Sequence, residues 1–167
     1  MTDFVRYPDP RLSLAAMPRP VDAALMATAE RLLAATAAAQ AYGLAAAHIG
    51  EVEPLVVISV ADAASARDYR VLFNPTIVAV ADAVEFGPEG SVSMPGIEAP
   101  IERPVWAEIA YDTAEGERIT TRFDGFVARC ALHEIEQMNG VFFLSRLSRL
   151  KRDTAIRKFQ KLGRRDA

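Results

Sequence analysis

The sequence predicts an α+β fold, and the order of its segments supports this class. An Ala- and Leu-rich amphipathic segment comes first, several short runs with strand composition follow, and two helical segments close the chain. Helices and antiparallel strands that are segregated along a chain are typical of α+β proteins, whereas wound parallel sheets alternate the two. The chain has 167 residues, 51% of them hydrophobic and 25% charged, and it is expected to form one domain over residues 1–167.

The first third of the chain is predicted to hold a surface segment, a helix and a segment of small side chains. Two prolines restrict the backbone of residues 7–12, which are expected to lie across the surface. Residues 21–41 place apolar side chains on one side, as an amphipathic helix requires, and Gly43 is expected to end this helix. Residues 44–50 are mostly small and include His48, so they could pass close to a site without filling it.

The middle of the chain is predicted to be mostly strand. The runs with strand composition are residues 55–60, 69–73, 105–112 and 117–123. The second run is expected to reach a turn at Asn74-Pro75, and residues 76–80 to continue the sheet. The last two runs alternate around a four-residue turn and predict a β-hairpin. Residues 89–96 are polar and bounded by glycine, which is typical of a loop or an edge strand.

Two helices are predicted at the end of the chain. Asp124 is expected to cap the first helix, which runs to Met138 with Gly140 as its C-terminal stop signal. Helical spacing places four of its residues on one inward-facing stripe: Phe126, Cys130, His133 and Gln137. The second helix, residues 151–162, has an apolar face and a basic face.

Charge is distributed unevenly along the chain. Residues 1–145 hold 10 basic and 20 acidic side chains, whereas residues 146–167 hold 9 basic and 2 acidic ones. A basic segment of this kind binds nucleic acid or another acidic surface in some proteins and is simply a solvated helix face in others. The sequence leaves both interpretations open.

The composition argues against several classes of protein. No apolar run reaches the roughly 18–20 residues of a membrane span, and the amino terminus lacks the pattern of a secretory signal. A cytoplasmic protein without a membrane partner is therefore expected. Cys130 is the single cysteine, which excludes an internal disulfide and a multi-cysteine zinc site. The absence of a phosphate-binding glycine loop argues against a nucleotide cofactor.

The segment Arg129–Gly140 contains an incomplete metal-hydrolase motif. In H-E-x-x-H, two histidines four residues apart on a helix share a metal ion, and the glutamate beside the first acts as general base. Here His133 and Glu134 are present, but Gln137 stands at the second histidine position. A neutral amide oxygen is a poor replacement for an imidazole nitrogen on Zn²⁺ or Fe²⁺.

Three segments together resemble the motifs of the peptide deformylases. The segments are Gly43-Leu44-Ala45-Ala46-x-His48, Glu89-Gly90-Ser91-Val92-Ser93 and His133-Glu134-x-x-Gln137. The family carries G-x-G-L-A-A-x-Q, E-G-C-L-S and H-E-x-x-H in this order. The similarity extends from Tyr7-Pro8-Asp9-Pro10-Arg11-Leu12 through Phe73-Asn74-Pro75 to Asn139-Gly140-Val141-Phe142-Phe143. It implies antiparallel sheets around a central helix that carries the degenerate motif, with one further helix near each terminus.

The resemblance also implies a reaction and a set of site residues. Peptide deformylases use Fe²⁺ or Zn²⁺ to remove the formyl group from the N-terminal formylmethionine of nascent chains. Carried over by position, the metal ligands are His133, Ser91 and Gln137, and the general base is Glu134. His48 replaces the glutamine that stabilises the oxyanion together with a backbone N–H, here that of Val92. Residues expected to contact the substrate are Gly43, Leu44 and Gly90.

These replacements leave three hypotheses open. A neutral serine hydroxyl is a much weaker metal donor than a thiolate, so metal is expected to be absent or weakly bound and deformylation to be weak or lost. The first hypothesis is nevertheless an active deformylase. The second is a homologue that binds a formyl-methionyl peptide or nascent chain, or the ribosome through its basic final helix, without catalysis. The third is a metal-independent hydrolase with Ser91 as nucleophile and His48 as base.

His48 itself has three competing roles at this stage. It could be a filler hydrogen-bonded to Glu89 or Glu134, the base of a pair with Ser91, or a replacement metal ligand. A histidine near carboxylates usually has its charged form favoured, and metal binding requires the neutral ring. The filler role is therefore ranked first and the metal ligand last.

Overall fold

Two antiparallel sheets pack around one helix in the computed structural model, which describes residues 3–166 and, for Asp166, only the backbone. The helices are α1 (Ala23–Ala39), α2 (Gly125–Met138) and α3 (Arg149–Asp166). The strands are β1 (Gly43–Ala45), β2 (Leu55–Ser59), β3 (Tyr69–Val80), β4 (Val84–Glu89), β5 (Ala99–Pro104), β6 (Trp106–Asp112) and β7 (Arg118–Asp124). The predicted α+β class is confirmed.

The larger sheet has the strand order β1-β2-β3-β6-β7, and β4 and β5 form a separate two-stranded sheet. The predicted hairpin is confirmed as β6 and β7, which pair from Trp106–Asp124 to Asp112–Arg118. Strand β2 is buried along its whole length because both of its faces are covered. One face packs on α2 and the other on α1, so the helix with the His-Glu pair is fixed against the centre of the sheet.

The expected turn at Asn74-Pro75 is wrong, because β3 runs through it to Val80. Asn74 adopts a left-handed backbone conformation (φ 48°), which asparagine tolerates better than most residues. The pairing of β3 with β6 shifts register there, between Phe73 and Thr76. The Asn74 side chain exchanges two hydrogen bonds with the Arg19 backbone, at 3.0 and 2.7 Å. These bonds stabilise an irregularity inside the strand instead of a chain reversal.

Two predicted helix ends also differ from the structure. Helix α1 ends at Ala39 with Gln40 in a left-handed conformation (φ 49°), and Gly43 instead begins β1. Asp124 occupies the position before α2 but its side chain makes no capping hydrogen bond; its carboxylate instead accepts one from Arg122 Nε at 3.1 Å. The end of α2 at Met138 is as predicted, and Gly140 follows it with φ 80°.

Strands β4 and β5 were not anticipated from the sequence. They contain Pro88, Pro100 and Pro104, and proline weakens a strand prediction because it lacks the N–H that a central strand donates. A two-stranded sheet consists only of edges, where proline is tolerated. Residues 90–98 connect the two strands, so the polar segment after Glu89 is a loop, one of the two predicted alternatives.

Helix α3 is longer than predicted and packs through one apolar face. Ile156, Phe159 and Leu162 contact a core cluster that includes Met94 and Phe143, as the sequence pattern predicted. Its basic side chains are on the other face and most of them are exposed. Within residues 3–166, none of the helices combines the length and apolar character needed to cross a membrane.

Candidate functional site

A cavity of about 640 Å³ opens beside α2 where β1 and the loop after β4 meet. Volumes of this size are typical of small-molecule and peptide sites. Its walls include most of the predicted site residues, namely Gly43, Leu44, His48, Gly90, Ser91, Val92, His133 and Glu134. The three sequence segments are therefore brought together around one space.

The buried carboxylate of Glu89 organises one wall of the cavity. Glu89 Oε1 lies 2.7 Å from His133 Nδ1, and Oε2 accepts hydrogen bonds from Arg103 Nε at 2.9 Å and from an Arg129 guanidinium nitrogen at 2.7 Å. Burial opposes ionisation of Glu89, but the hydrogen bonds from Arg103 and His133 outweigh it and hold the pKa of this carboxyl well below its ordinary value. Glu89 is thus an anion that fixes the ring of His133.

The second ring nitrogen of His133 faces Glu134, the residue at the general-base position of the motif. With Nδ1 held by Glu89, Nε2 lies 3.8 Å from Glu134 Oε1. Burial favours the neutral ring, but the carboxylates of Glu134 and Glu89 outweigh this effect and raise the pKa of His133. A carboxylate behind an imidazole is the usual arrangement that orients a metal-binding histidine. The orientation of this one position therefore suits the family's chemistry.

Glu134 is almost fully buried, and one of its oxygens has no hydrogen-bond partner among residues 3–166. Its side chain is 5% exposed, and Oε1 lies 3.8 Å from His133 Nε2 and 3.9 Å from His48 Nδ1. Burial raises the pKa of Glu134 to about 7. Gly43 permits the close packing of β1 on this residue, because an added Cβ would lie only 3.1 Å from Glu134 Cγ. Glu134 can accordingly exchange a proton near neutral pH.

His48 is buried at the cavity wall, and its contacts differ from those expected. Its Nδ1 accepts a hydrogen bond of 3.0 Å from the backbone N–H of Ala45, and its Nε2 lies 3.5 Å from Ser91 Oγ. The expected hydrogen bond to Glu89 or Glu134 is wrong. The expected preference for the charged ring is wrong as well, since burial and the charge of His133 lower the pKa of His48 to about 3.

Ser91 and Gln137 each use their polar groups within the protein. Ser91 Oγ accepts a hydrogen bond of 3.1 Å from the backbone N–H of Ser93. The side-chain amide of Gln137 donates one of 2.8 Å to the carbonyl oxygen of Leu12, and Gln137 does not line the cavity. Gln137 and His133 both face inward, as the predicted stripe requires, since Gln137 is 2% and the His133 side chain 12% exposed, but only His133 lines the cavity.

The remaining stripe residues occupy the outer wall of the cavity. Phe126 is 51% exposed at the mouth, where its ring makes an edge contact with Tyr42 at a centroid distance of 4.8 Å. Cys130 also lines the cavity, and burial raises the pKa of its thiol to about 12. A thiol with a raised pKa carries little thiolate at neutral pH and is therefore unreactive. The inward orientation predicted for Phe126 is wrong, because the cavity leaves its position open to solvent.

The donor set at the three ligand positions does not fit tightly bound Zn²⁺ or Fe²⁺. Only His133 offers a nitrogen, while Ser91 offers a neutral hydroxyl and Gln137 an amide whose NH₂ group is held by Leu12. Within residues 3–166, no cluster of three or more His, Cys, Asp or Glu side chains is arranged to hold a metal ion. A carboxylate-oriented imidazole is thus the one element of a family metal site that these residues retain.

Sequence reasoning missed the two arginines that hold Glu89. Arg129 is on the motif helix, one turn before His133, and its buried position offered no signal because arginine is usually exposed. Arg103 is on β5, a strand that the sequence did not predict, and it also bonds Glu136 at 2.8 Å. Glu89, the first residue of the second motif, and the two arginines elsewhere in the chain become partners only in the folded protein.

An α+β fold with a His-Glu pair on a central helix at an open cavity is the architecture of a hydrolase family. Residues 1–153 match the family model described as polypeptide deformylase. A peptide deformylase-like protein of Brucella melitensis is 40% identical over 162 residues, covering 96% of this chain and 97% of that protein. A peptide deformylase of Agrobacterium fabrum is 38% identical over 144 residues, covering 86% and 85%.

The structural comparison agrees with the sequence comparison. The crystal structure of peptide deformylase from Ehrlichia chaffeensis superimposes with a TM-score of 0.92 at 31% identity, covering 99% of this chain and 98% of that one. The chain belongs to the peptide deformylase family, as the sequence resemblance predicted. This is a family of metalloenzymes that remove the formyl group from nascent peptides.

Proposed function

We propose that this chain is a deformylase-like protein that binds the N-terminal end of a formyl-methionyl peptide or nascent chain and has weak or no metal-dependent deformylase activity. The observation that carries the proposal is the combination of an open cavity with altered donors. The cavity of about 640 Å³ remains, while Gln137 at a ligand position is hydrogen-bonded to the Leu12 backbone.

The retained features support binding. Gly43 still allows β1 to pack closely on Glu134, and Leu44, Gly90 and Val92 still line the cavity. Most of the surface of the cavity is apolar, and polar groups such as those of His48, Ser91 and Glu134 lie among it, which is the usual composition of a site that buries a ligand and fixes its orientation. The occupant that fits the family is the first residue of a peptide with its acyl cap.

The altered features argue against efficient catalysis. At these two positions the family has a thiolate, which supplies negative charge, and an imidazole, which supplies a nitrogen donor. Ser91 and Gln137 supply only neutral oxygens. Loss of even a supporting group behind a ligand typically costs about 10- to 100-fold in metal affinity or activity. Without a tightly bound Fe²⁺ or Zn²⁺ there is no activated water for Glu134 to deprotonate. His133 and Glu134 would then act in binding.

A metal-independent hydrolase based on Ser91 and His48 is the second candidate, and the hydrogen bonds argue against it. A general base must accept the serine proton, and a third group must hold its other N–H. His48 Nδ1 accepts from Ala45, so the neutral ring carries its proton on Nε2, the nitrogen that faces Ser91. This is the wrong tautomer for a base. The low pKa of His48, about 3 because of burial, acts in the same direction.

The basic helix α3 supports a role beside the ribosome, in a cytoplasmic setting. Its lysines and arginines are mostly exposed, whereas its apolar residues are fixed on the core. An acidic surface such as ribosomal RNA would be attracted by this face. Such docking would place the cavity near emerging chains whose first residue is formylated.

The proposal is tested by measuring binding, turnover and metal content on one preparation. We expect a formyl-methionyl tripeptide to bind, as measured by titration calorimetry, and formate release to be weak or undetectable in the same samples. Elemental analysis after purification without chelators or added metal is expected to give far less than one Zn²⁺ or Fe²⁺ per chain. A metal ratio near one with rapid formate release would contradict the proposal.

A further inference from the structure

The outward face of the β4–β5 sheet is apolar at its centre and acidic along β5. Strand alternation places five exposed residues on this face, which together form the acidic face: Phe86, Pro88, Glu98, Pro100 and Glu102. Phe86 is 68% exposed and lies opposite Glu102 in the strand pairing. Clustered exposed apolar residues, unlike scattered ones, mark interaction sites. The acidic face is therefore a candidate surface for a partner.

The two glutamates of the acidic face form no ion pair within residues 3–166. In residues 81–104 the exposed charged side chains are all acidic. The one basic residue there, Arg103, is buried in ion pairs with Glu89 and Glu136 and cannot offset the exposed acids. A partner that covers the acidic face would thus need cations of its own.

Helix α3 presents cations on its outward side. Successive residues turn by about 100° around an α-helix, so four exposed residues share the side opposite the apolar contacts with the core. These residues form the basic stripe: Leu150, Arg157, Lys161 and Arg164. Leu150 is 73% exposed. The ion pair found on this helix joins Arg149 to Asp153, so the cations of the stripe are unpaired within residues 3–166.

The acidic face and the basic stripe match in length as well as in charge. A strand rises about 3.3 Å per residue, which separates Glu98 from Glu102 by roughly 13 Å. A helix rises about 1.5 Å per residue, so Leu150 is about 10 Å from the first cation of the stripe and about 16 Å from the second. A helix with Leu150 on the Phe86 ring, beside Glu102, therefore brings two cations to Glu98.

We propose that the acidic face binds the basic stripe of a second copy of this chain, so that the protein forms a two-fold dimer with two such contacts. The two surfaces are neighbours within one chain, because a Cβ added at Gly96 would lie 2.8 Å from Leu162 of α3. Neighbouring complementary surfaces can meet their counterparts around one two-fold axis, and two-fold dimers are the commonest oligomers. The dimer requires neither peptide nor metal, so it forms whether or not the proposed function holds.

The dimer and the ribosome compete for helix α3. The basic stripe that would meet ribosomal RNA is covered in the dimer, so the two associations exclude each other. Both depend on exposed charges and weaken as salt rises. Free protein is then dimeric, and ribosome-bound protein is monomeric.

Charge reversal with rescue tests the dimer, by sedimentation equilibrium on the full chain at low ionic strength. Wild-type protein is expected to show twice the mass of one chain. Glu98→Lys with Glu102→Lys, and separately Arg157→Glu with Lys161→Glu, are each expected to raise the dissociation constant at least about tenfold, because like charges then face each other. An equimolar mixture of the two variants is expected to dimerise again, since both contacts regain opposite charges.

Two further variants separate this contact from general effects of charge. Glu30→Lys with Glu115→Lys changes the net charge equally at exposed sites outside the acidic face and is expected to leave the dimer unchanged. Leu150→Ser changes no charge and is expected to weaken the dimer about 3- to 10-fold, because apolar burial is lost. A monomeric wild-type protein, a mixture that stays monomeric, or a control as weak as the acidic-face variant would each overturn the inference.

Discussion

The side-chain amide of Gln137 is hydrogen-bonded to the carbonyl oxygen of Leu12 at 2.8 Å, which ties α2 to the N-terminal segment across 125 positions of sequence. Both residues are 2% exposed. The position at which the family carries a metal ligand therefore has a structural contact here. Any substitution of Gln137, including one that reintroduces a metal ligand, removes that contact, and the first two predictions take this into account.

Gln137→Ala is expected to lower the free energy of unfolding by about 1–3 kcal/mol, because it leaves a buried carbonyl oxygen without its donor. Urea denaturation measures the change. Gln160→Ala is the matched control, since Gln160 is exposed on helix α3 and its loss should change stability by no more than about 0.5 kcal/mol. Equal effects of the two substitutions would show that the bond to Leu12 contributes nothing.

Ser91→Cys combined with Gln137→His is expected to restore metal binding and part of the formate release. The double variant supplies the thiolate and second imidazole that the family uses, and Glu89 already orients His133. Each single variant should recover much less, because two donors are missing at once. Metal analysis and a formate assay on all four proteins measure this. A double variant that binds metal but stays inactive would indicate that the replacement of the family's glutamine by His48 also impairs catalysis.

The stability of the protein is expected to respond to pH in opposite ways through Glu134 and Glu136. Burial raises the pKa of Glu134 from 4.5 to about 7, so between these values the native state binds more protons than the unfolded chain. The stabilisation that Glu134 contributes is fully present below its ordinary pKa of 4.5, and it is lost as the pH rises through about 7. Glu134→Gln should therefore become stabilising relative to wild type toward about pH 8, by at most roughly 3 kcal/mol.

Glu136→Gln is the control for this prediction. Burial opposes ionisation of Glu136, but hydrogen bonds from Arg146 and the charge of Arg103 outweigh it and lower its pKa. Its stabilisation is present above the ordinary pKa and is lost as pH falls. Glu136→Gln should thus destabilise the protein near pH 8, with a smaller difference near pH 4. Urea denaturation at both pH values gives the two signs, and parallel behaviour of the two variants would contradict this assignment.

Helix α3 is expected to bind ribosomes in a salt-dependent manner. Replacing Lys151, Arg152, Arg157, Lys158 and Lys161 by glutamine should weaken co-sedimentation with ribosomes and reduce its dependence on salt, because fewer counterions are released. Arg6→Gln with Arg70→Gln is the control, since both arginines are exposed away from this helix. Two results would indicate that the basic face of α3 is only solvated. One is a loss of co-sedimentation per removed charge that is equal in the control variant, and the other is an absence of ribosome binding at low ionic strength.

Local patterns in the sequence determined the fold class, the hairpin, the motif helix and the family. The hairpin alternates with period two, and the motif helix has helical periodicity and a glycine at its end. These patterns depend only on residues close together in the chain, so they can be recognised without knowledge of the tertiary structure. The three motifs were likewise visible as short runs of residues, and the structure brings them to one cavity.

Tertiary structure alone decided what the altered residues do. The expected partners of His48 were carboxylates, yet the fold places the Ala45 N–H on Nδ1 and thereby fixes the tautomer. Gln137 was expected beside His133 in the site, but its amide reaches Leu12, and Glu89 is bound by Arg103 from a strand that the sequence did not reveal. The physical reason is that buried polar groups must find partners, and packing decides whether a partner lies in the same turn, as Ala45 does for His48, or in a distant segment, as Leu12 does for Gln137.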